Sequence, residues 1–97
     1  MAQFDIHRLP DGLHVVDLQT DLIDLPQSRV VAPMFRVDER ATLAQLTPVI
    51  LFEGRTWMVR IPQMSAMRPK DLGAAIGSAA SWRDEIFRAI DVLTHGF

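Results

Sequence analysis

The sequence predicts a mainly β fold that ends in one α-helix. Short alternating segments separated by Pro, Gly and Asp fill its first two thirds, as in strands joined by tight turns. Near the C-terminal end, residues 81–93 carry apolar side chains at helical spacing. A length of 97 residues and an apolar content of 48% suit a single domain over residues 1–97.

The first two strands are predicted to form a hairpin. Residues 3–9 (QFDIHRL) alternate in polarity, and Pro10-Asp11-Gly12 is a strong turn signal. Residues 13–19 (LHVVDLQ) then supply a second strand.

A loop of unusual composition follows over residues 20–28 (TDLIDLPQS). Leu22 and Ile23 are adjacent large apolar residues in an otherwise polar stretch. Since both cannot easily turn inward, they either plug one end of the fold or contact another chain.

The same region contains Asp17, Asp21 and Asp24, which invite a metal-site interpretation. Their spacing does not match a calcium loop, and the three histidines of the chain form no zinc-binding motif. We therefore expect solvated, turn-forming aspartates, with no metal and no cofactor.

The middle of the chain predicts a third strand and a second hairpin. The third strand covers residues 29–37, where Pro33 indicates an edge or a bulge. After a short helical turn or irregular excursion, strands over Val49–Phe52 and Thr56–Ile61 flank a Glu53-Gly54 turn.

The last third is predicted to be mostly turn, with at most one short strand, before the helix. Ser81 is expected to cap the helix, with Asp84 in the capping-box position. The expected buried stripe consists of Trp82, Ile86, Ala89, Ile90 and Leu93. An aspartate in place of Ile86 or Leu93 is therefore predicted to unfold the domain.

Two interpretations apply to the final residues. Gly96 suits the left-handed position after a C-cap at His95. Phe97 then either folds back on Val92 or projects outward as a contact for a partner protein.

Composition excludes several classes of function. A net charge of −2 argues against broad binding to nucleic-acid phosphates, and the absence of cysteine excludes a disulfide framework. The N-terminus lacks the pattern of a signal peptide, and no stretch has the length of a membrane helix. A cytoplasmic protein is the expectation.

The ordered segments VVDLQTDLIDLPQSRVVAPM, PVILFEGRTWMV, QMSAM and RDEIFRAIDVL, with GF at the end, resemble the CcdB toxins over essentially the whole chain. The resemblance implies an SH3-like barrel, shared with the MazF-like plasmid-maintenance toxins, plus a small extra β-sheet and a C-terminal helix. It implies a bacterial, homodimeric toxin of a type II toxin–antitoxin module. Such a toxin binds the A subunit of DNA gyrase and traps its cleaved-DNA complex. A CcdA-like antitoxin, disordered until it binds, neutralises it and shares in transcription autoregulation.

Carried over by position, the resemblance places gyrase contacts on His95, Gly96, Phe97, Leu22 and Ile23. Leu22, Ile23 and Phe97 are also assigned to the dimer interface. The best-known member has tryptophan where His95 stands and isoleucine where Phe97 stands. The resemblance implies an inhibitor of a type II topoisomerase, with no catalytic residue and no direct binding to nucleic acid or membrane.

Two alternatives remain open. One is a homologue that is inactive on gyrase and binds only the antitoxin. The other is a MazF-like endoribonuclease, in which His7 or His14 would transfer protons and an arginine such as Arg60 would stabilise the transition state.

Overall fold

The computed structural model describes residues 2–22 and 28–96, which contain seven β-strands and one α-helix. The strands are β1 (Asp5–Arg8), β2 (His14–Asp17), β3 (Arg29–Arg36), β4 (Val49–Phe52), β5 (Arg55–Val59), β6 (Ser65–Met67) and β7 (Ala75–Ser78). The helix α1 (Arg83–His95) follows them. Short 3₁₀ turns cover residues 44–46, 61–63, 69–71 and 80–82. The predicted mainly β fold with one C-terminal helix is confirmed.

Both predicted hairpins are present. β1 pairs antiparallel with β2, and the Gly12 N–H donates to the Leu9 carbonyl within the turn. β4 pairs antiparallel with β5. Their connection has positive φ at both Glu53 (53°) and Gly54 (73°), the type I′ geometry that matches the twist of a hairpin.

The strand order β4-β5-β3-β2-β1-β7 forms a curled half-barrel, and β6 branches from it by pairing with β3. All seven described strands therefore belong to one sheet, where a small separate sheet was expected. The segment predicted to be mostly turn supplies both β6 and β7, because long-range pairing recruits residues with weak local strand signals.

The prediction that Pro33 marks an edge or a bulge is wrong, because β3 is central and its register against β2 is regular. On its other side, β3 pairs with β6 through Arg29–Val31 and with β5 through Met34–Arg36. Pro33 lies between these two partners, so its missing N–H removes no bond from either ladder.

The two faces of the sheet bury separate clusters, as strand alternation requires. One face carries Ile6, Val16, Ala32 and Met34, which pack in the main core together with Ile86 and Ala89 of α1. The opposite face carries Val15 and Val31, which pack with Leu72. The centre of the sheet is thus buried on both sides, and α1 covers only one of them.

The helix differs from its prediction in two ways, in the residue that caps its start and in the extent of its buried face. A 3₁₀ turn precedes α1, Trp82 occupies the N-cap position, and no side chain caps the helix. The predicted Ser81 cap is therefore wrong. Leu93, which was expected in the core, is 39% exposed, whereas Ile86 and Ala89 are fully buried.

Within the described residues, no helix is long and apolar enough to cross a membrane.

Candidate functional site

The C-terminal end of α1 has a backbone cap. Gly96 adopts φ 84° and ψ 3°, and its N–H donates to the Val92 carbonyl at 3.0 Å. This bond is the 5→1 bond of an αL cap, and the positive φ confirms the left-handed position predicted for Gly96. His95 and Gly96 are both exposed, so a fixed helix end presents them to solvent. Phe97 lies outside the described residues, and its orientation stays a prediction.

Leu22 is 95% exposed, the largest exposure among the large apolar residues of the described ranges. Its N–H donates to the Thr20 hydroxyl at 3.2 Å. Leu22 therefore does not plug an end of the fold, and the interpretation as a contact for another chain remains. Ile23 and Asp24 lie outside the described residues.

The segment leading to Leu22 is tied to β3 through Arg29. The Arg29 Nε donates to Asp17 Oδ2 at 2.9 Å, and its Nη2 donates to the Gln19 carbonyl at 3.2 Å. The same Nη2 lies 3.5 Å from Asp21 Oδ1. Asp17 is fully buried, so the expectation of a solvated aspartate is wrong at this position. Its negative charge is compensated by the ion pair with Arg29 and by a hydrogen bond that the Gln19 N–H donates to the carboxylate.

Gln3, at the start of the chain, holds the other side of the same segment. Its backbone N–H donates to both Asp21 carboxylate oxygens, at 3.1 and 3.2 Å. Its side-chain Nε2 donates to the Leu18 carbonyl at 3.2 Å. Sequence reasoning missed the roles of Gln3 and Arg29. The contact of Arg29 with Asp17 could have been predicted, because the two residues have opposite charges and lie on either side of the loop between two antiparallel strands.

Asp21 and its described neighbours are not arranged as a metal site. Within residues 2–22 and 28–96, no group of three or more His, Cys, Asp or Glu is arranged to hold a metal ion. The carboxylates of Asp17 and Asp21 instead accept hydrogen bonds from the chain itself. These two carboxylates therefore hold the segment between them in place.

The residues considered for RNA cleavage have other surroundings. His7 is fully buried, and its Nδ1 lies 3.2 Å from the Gly73 carbonyl, so it does not face a substrate. The ring of His14 packs against Trp57 with centroids 4.7 Å apart. Arg60 donates to the Gln63 side chain and to the Ala41 carbonyl.

The comparison with protein families agrees with this architecture. The sequence model of one family, described as CcdB protein, matches residues 3–96. A search of curated proteins finds no significant match. The family match spans nearly the whole chain, including the segment that carries Leu22 and the helix end that carries His95 and Gly96. The chain belongs to the CcdB family, whose members are toxins of toxin–antitoxin modules.

Proposed function

We propose that this chain binds the A subunit of DNA gyrase and traps the complex of gyrase with cleaved DNA. The observation that carries the proposal is the helix end, where a backbone cap fixes exposed His95 and Gly96. A capped and exposed helix end suits contact with another protein, since little conformational freedom is lost on binding. The chain would act as an inhibitor through contact alone, with no catalytic residue.

The proposed contact surface combines the helix end with the loop. His95, Gly96 and Phe97 would contact gyrase together with Leu22 and Ile23. The exposure of Leu22 supports this assignment, because the free energy falls when a partner removes an apolar side chain from water.

The proposed assembly is a homodimer, with Leu22, Ile23 and Phe97 at the interface between the two copies. A CcdA-like antitoxin would neutralise the toxin and act with it in transcription autoregulation. Since gyrase acts on bacterial DNA, the proposed location is the bacterial cytoplasm.

A second candidate function is favoured by His95. Its imidazole offers a smaller stacking face than the tryptophan of the best-known member of the family, and a protonated imidazole would repel an arginine. A homologue that binds only the antitoxin would tolerate this exchange. The endoribonuclease alternative receives no comparable support, because His7 is buried and Arg60 is bonded to other groups.

A supercoiling and DNA-cleavage assay with purified gyrase separates these candidates. We expect the parent protein to inhibit supercoiling and to accumulate cleaved DNA. Deletion of residues 95–97 should abolish both effects while the fold is retained, because the deleted residues lie beyond the buried part of α1. A truncated protein that poisons gyrase as well as the parent would contradict the proposed contact surface. A parent that binds antitoxin but leaves gyrase active would support the second candidate.

Leu22→Ala tests the loop, and Leu51→Ala is its matched control. Both leucines are exposed, at 95% and 60%, but Leu51 lies on β4 and is not assigned to the contact surface. Only the Leu22 variant should lose inhibition. Equal loss in both variants would mean that the assay reports a general effect of apolar truncation.

A further inference from the structure

The loop residue Leu22 is exposed, yet the chain before it is bound on two sides. Arg29 approaches from β3 and reaches Asp17, the Gln19 carbonyl and Asp21. Gln3 approaches from the N-terminal segment and reaches Asp21 and the Leu18 carbonyl. Because both groups meet at Asp21, the residue immediately before Leu22 is fixed relative to two separate parts of the fold.

The buried end of this arrangement is anchored in the sheet. Asp17 ends β2 and is paired with Val31 of β3, which places Arg29 two residues further along on the same face. The Arg29 side chain is 11% exposed and that of Asp17 is fully buried, so this ion pair is shielded from solvent. The guanidinium is therefore held by the sheet while its Nη2 reaches outward to the loop.

An exposed leucine contributes most to binding when it is already in position. Ordering a free loop at an interface costs conformational entropy, which is subtracted from the gain of burying the side chain. Holding the segment before Leu22 in the free protein reduces that cost.

We infer that Asp17, Arg29 and Asp21 form a clamp that positions Leu22 for contact with the gyrase A subunit. The clamp itself does not contact gyrase, and it raises the affinity by holding Leu22 in place before binding. The inference rests on the proposed function of the loop. Arg29 and Asp21 act as positioning residues. An arginine suits this role because its planar guanidinium donates several hydrogen bonds in fixed directions, whereas a lysine ammonium is a compact charge on a flexible stem.

Asp21→Ala is the main test, because the Asp21 side chain is 55% exposed and its removal leaves the buried Asp17–Arg29 pair intact. The dissociation constant of the full chain for purified gyrase A subunit is measured by calorimetry. We expect Asp21→Ala to weaken binding about tenfold, because the segment that leads to Leu22 is no longer held in place. Unchanged affinity would overturn the inference.

A double-mutant cycle with Leu22→Ala distinguishes positioning from a separate contact. If the clamp acts through Leu22, adding Asp21→Ala to Leu22→Ala weakens binding by less than about twofold, because the positioned side chain is already absent. An equal loss in both backgrounds would show that Asp21 acts independently of Leu22, and would overturn the clamp.

Amide hydrogen exchange by NMR tests the clamp without any partner. The Leu22 N–H donates to Thr20, and the Gln19 N–H donates to Asp17, so neither bond uses Asp21 directly. Both amides should exchange faster in Asp21→Ala, while amides of β3 keep the parent rates. Unchanged exchange at both positions would overturn the clamp even if gyrase binds. A parent that fails to bind gyrase would overturn the proposed function, and the exchange result would still decide the clamp.

Arg29→Lys is the second variant, with Arg36→Lys as its control on the same strand. Arg36 pairs with exposed Asp38 at 3.5 Å and makes no described contact with the loop. Arg29→Lys should weaken gyrase binding and accelerate Leu22 exchange, since one ammonium cannot reproduce the three contacts. Arg36→Lys should change neither quantity. Parent-like affinity and exchange in a folded Arg29→Lys protein would contradict a positioning role for Arg29.

Discussion

Gly77 of β7 lies directly against the ring of Phe52 of β4, although these strands stand at opposite ends of the strand order. A Cβ atom built on Gly77 would overlap the Phe52 ring. The curled sheet therefore closes partly through an aromatic side chain packed on bare backbone.

Gly77→Ala is predicted to destabilise the protein by about 1–3 kcal/mol, because the added methyl group must displace the Phe52 ring. Urea unfolding measures the change. Phe52→Leu in the Gly77→Ala background should recover part of the loss, since a smaller side chain leaves room for the methyl group. A Gly77→Ala protein of parent stability would show that the two sheet ends are not in contact.

Ile86 and Leu93 provide a matched test of the buried face of α1. Ile86→Ala should cost about 2–5 kcal/mol, because it leaves a cavity in the main core. Leu93→Ala should cost less than about 1 kcal/mol, because Leu93 is partly exposed on the last turn. Thermal or denaturant unfolding of both variants measures the difference. Equal losses would place Leu93 in the core after all.

The buried ion pair makes a separate prediction about stability. Arg29→Met should destabilise the protein by about 3–5 kcal/mol, because it leaves the buried Asp17 carboxylate without its opposite charge. Arg36→Met is the control, since its partner Asp38 is exposed, and should change stability by less than about 1 kcal/mol. Similar unfolding free energies for the two variants would mean that solvent reaches Asp17.

His95→Trp tests the residue that differs from the best-known family member. If the helix end binds gyrase, the larger aromatic face should tighten binding about three- to tenfold. The dissociation constant for the purified A subunit is the measurement. The stability of the free protein should not change, because His95 is exposed. Weaker binding by a folded His95→Trp protein would contradict the proposed position of this side chain.

Local chemistry was sufficient to predict some elements of the fold. The Pro10-Asp11-Gly12 and Glu53-Gly54 turns specify their hairpins through backbone geometry within a few residues. Gly96 specifies the helix end in the same way, because a left-handed residue is required there.

Other features depend on partners that are distant in the sequence. The burial of Asp17 is explained by Arg29, and the pairing of β7 depends on β1, whose partner residues are some seventy positions earlier. Pro33 was interpreted as an edge signal because the change of partner from β6 to β5 is invisible without the register. The exposure of Leu93 likewise depends on how α1 is rotated over the sheet, which helical periodicity fixes only approximately.

Within the part of the chain that the structure describes, the C-terminal cap of α1 is a backbone hydrogen bond, which the Gly96 N–H donates to the Val92 carbonyl. The side chain at position 95 takes no part in this bond. A substitution at position 95 would therefore change the surface that this helix end presents and leave the cap bond in place.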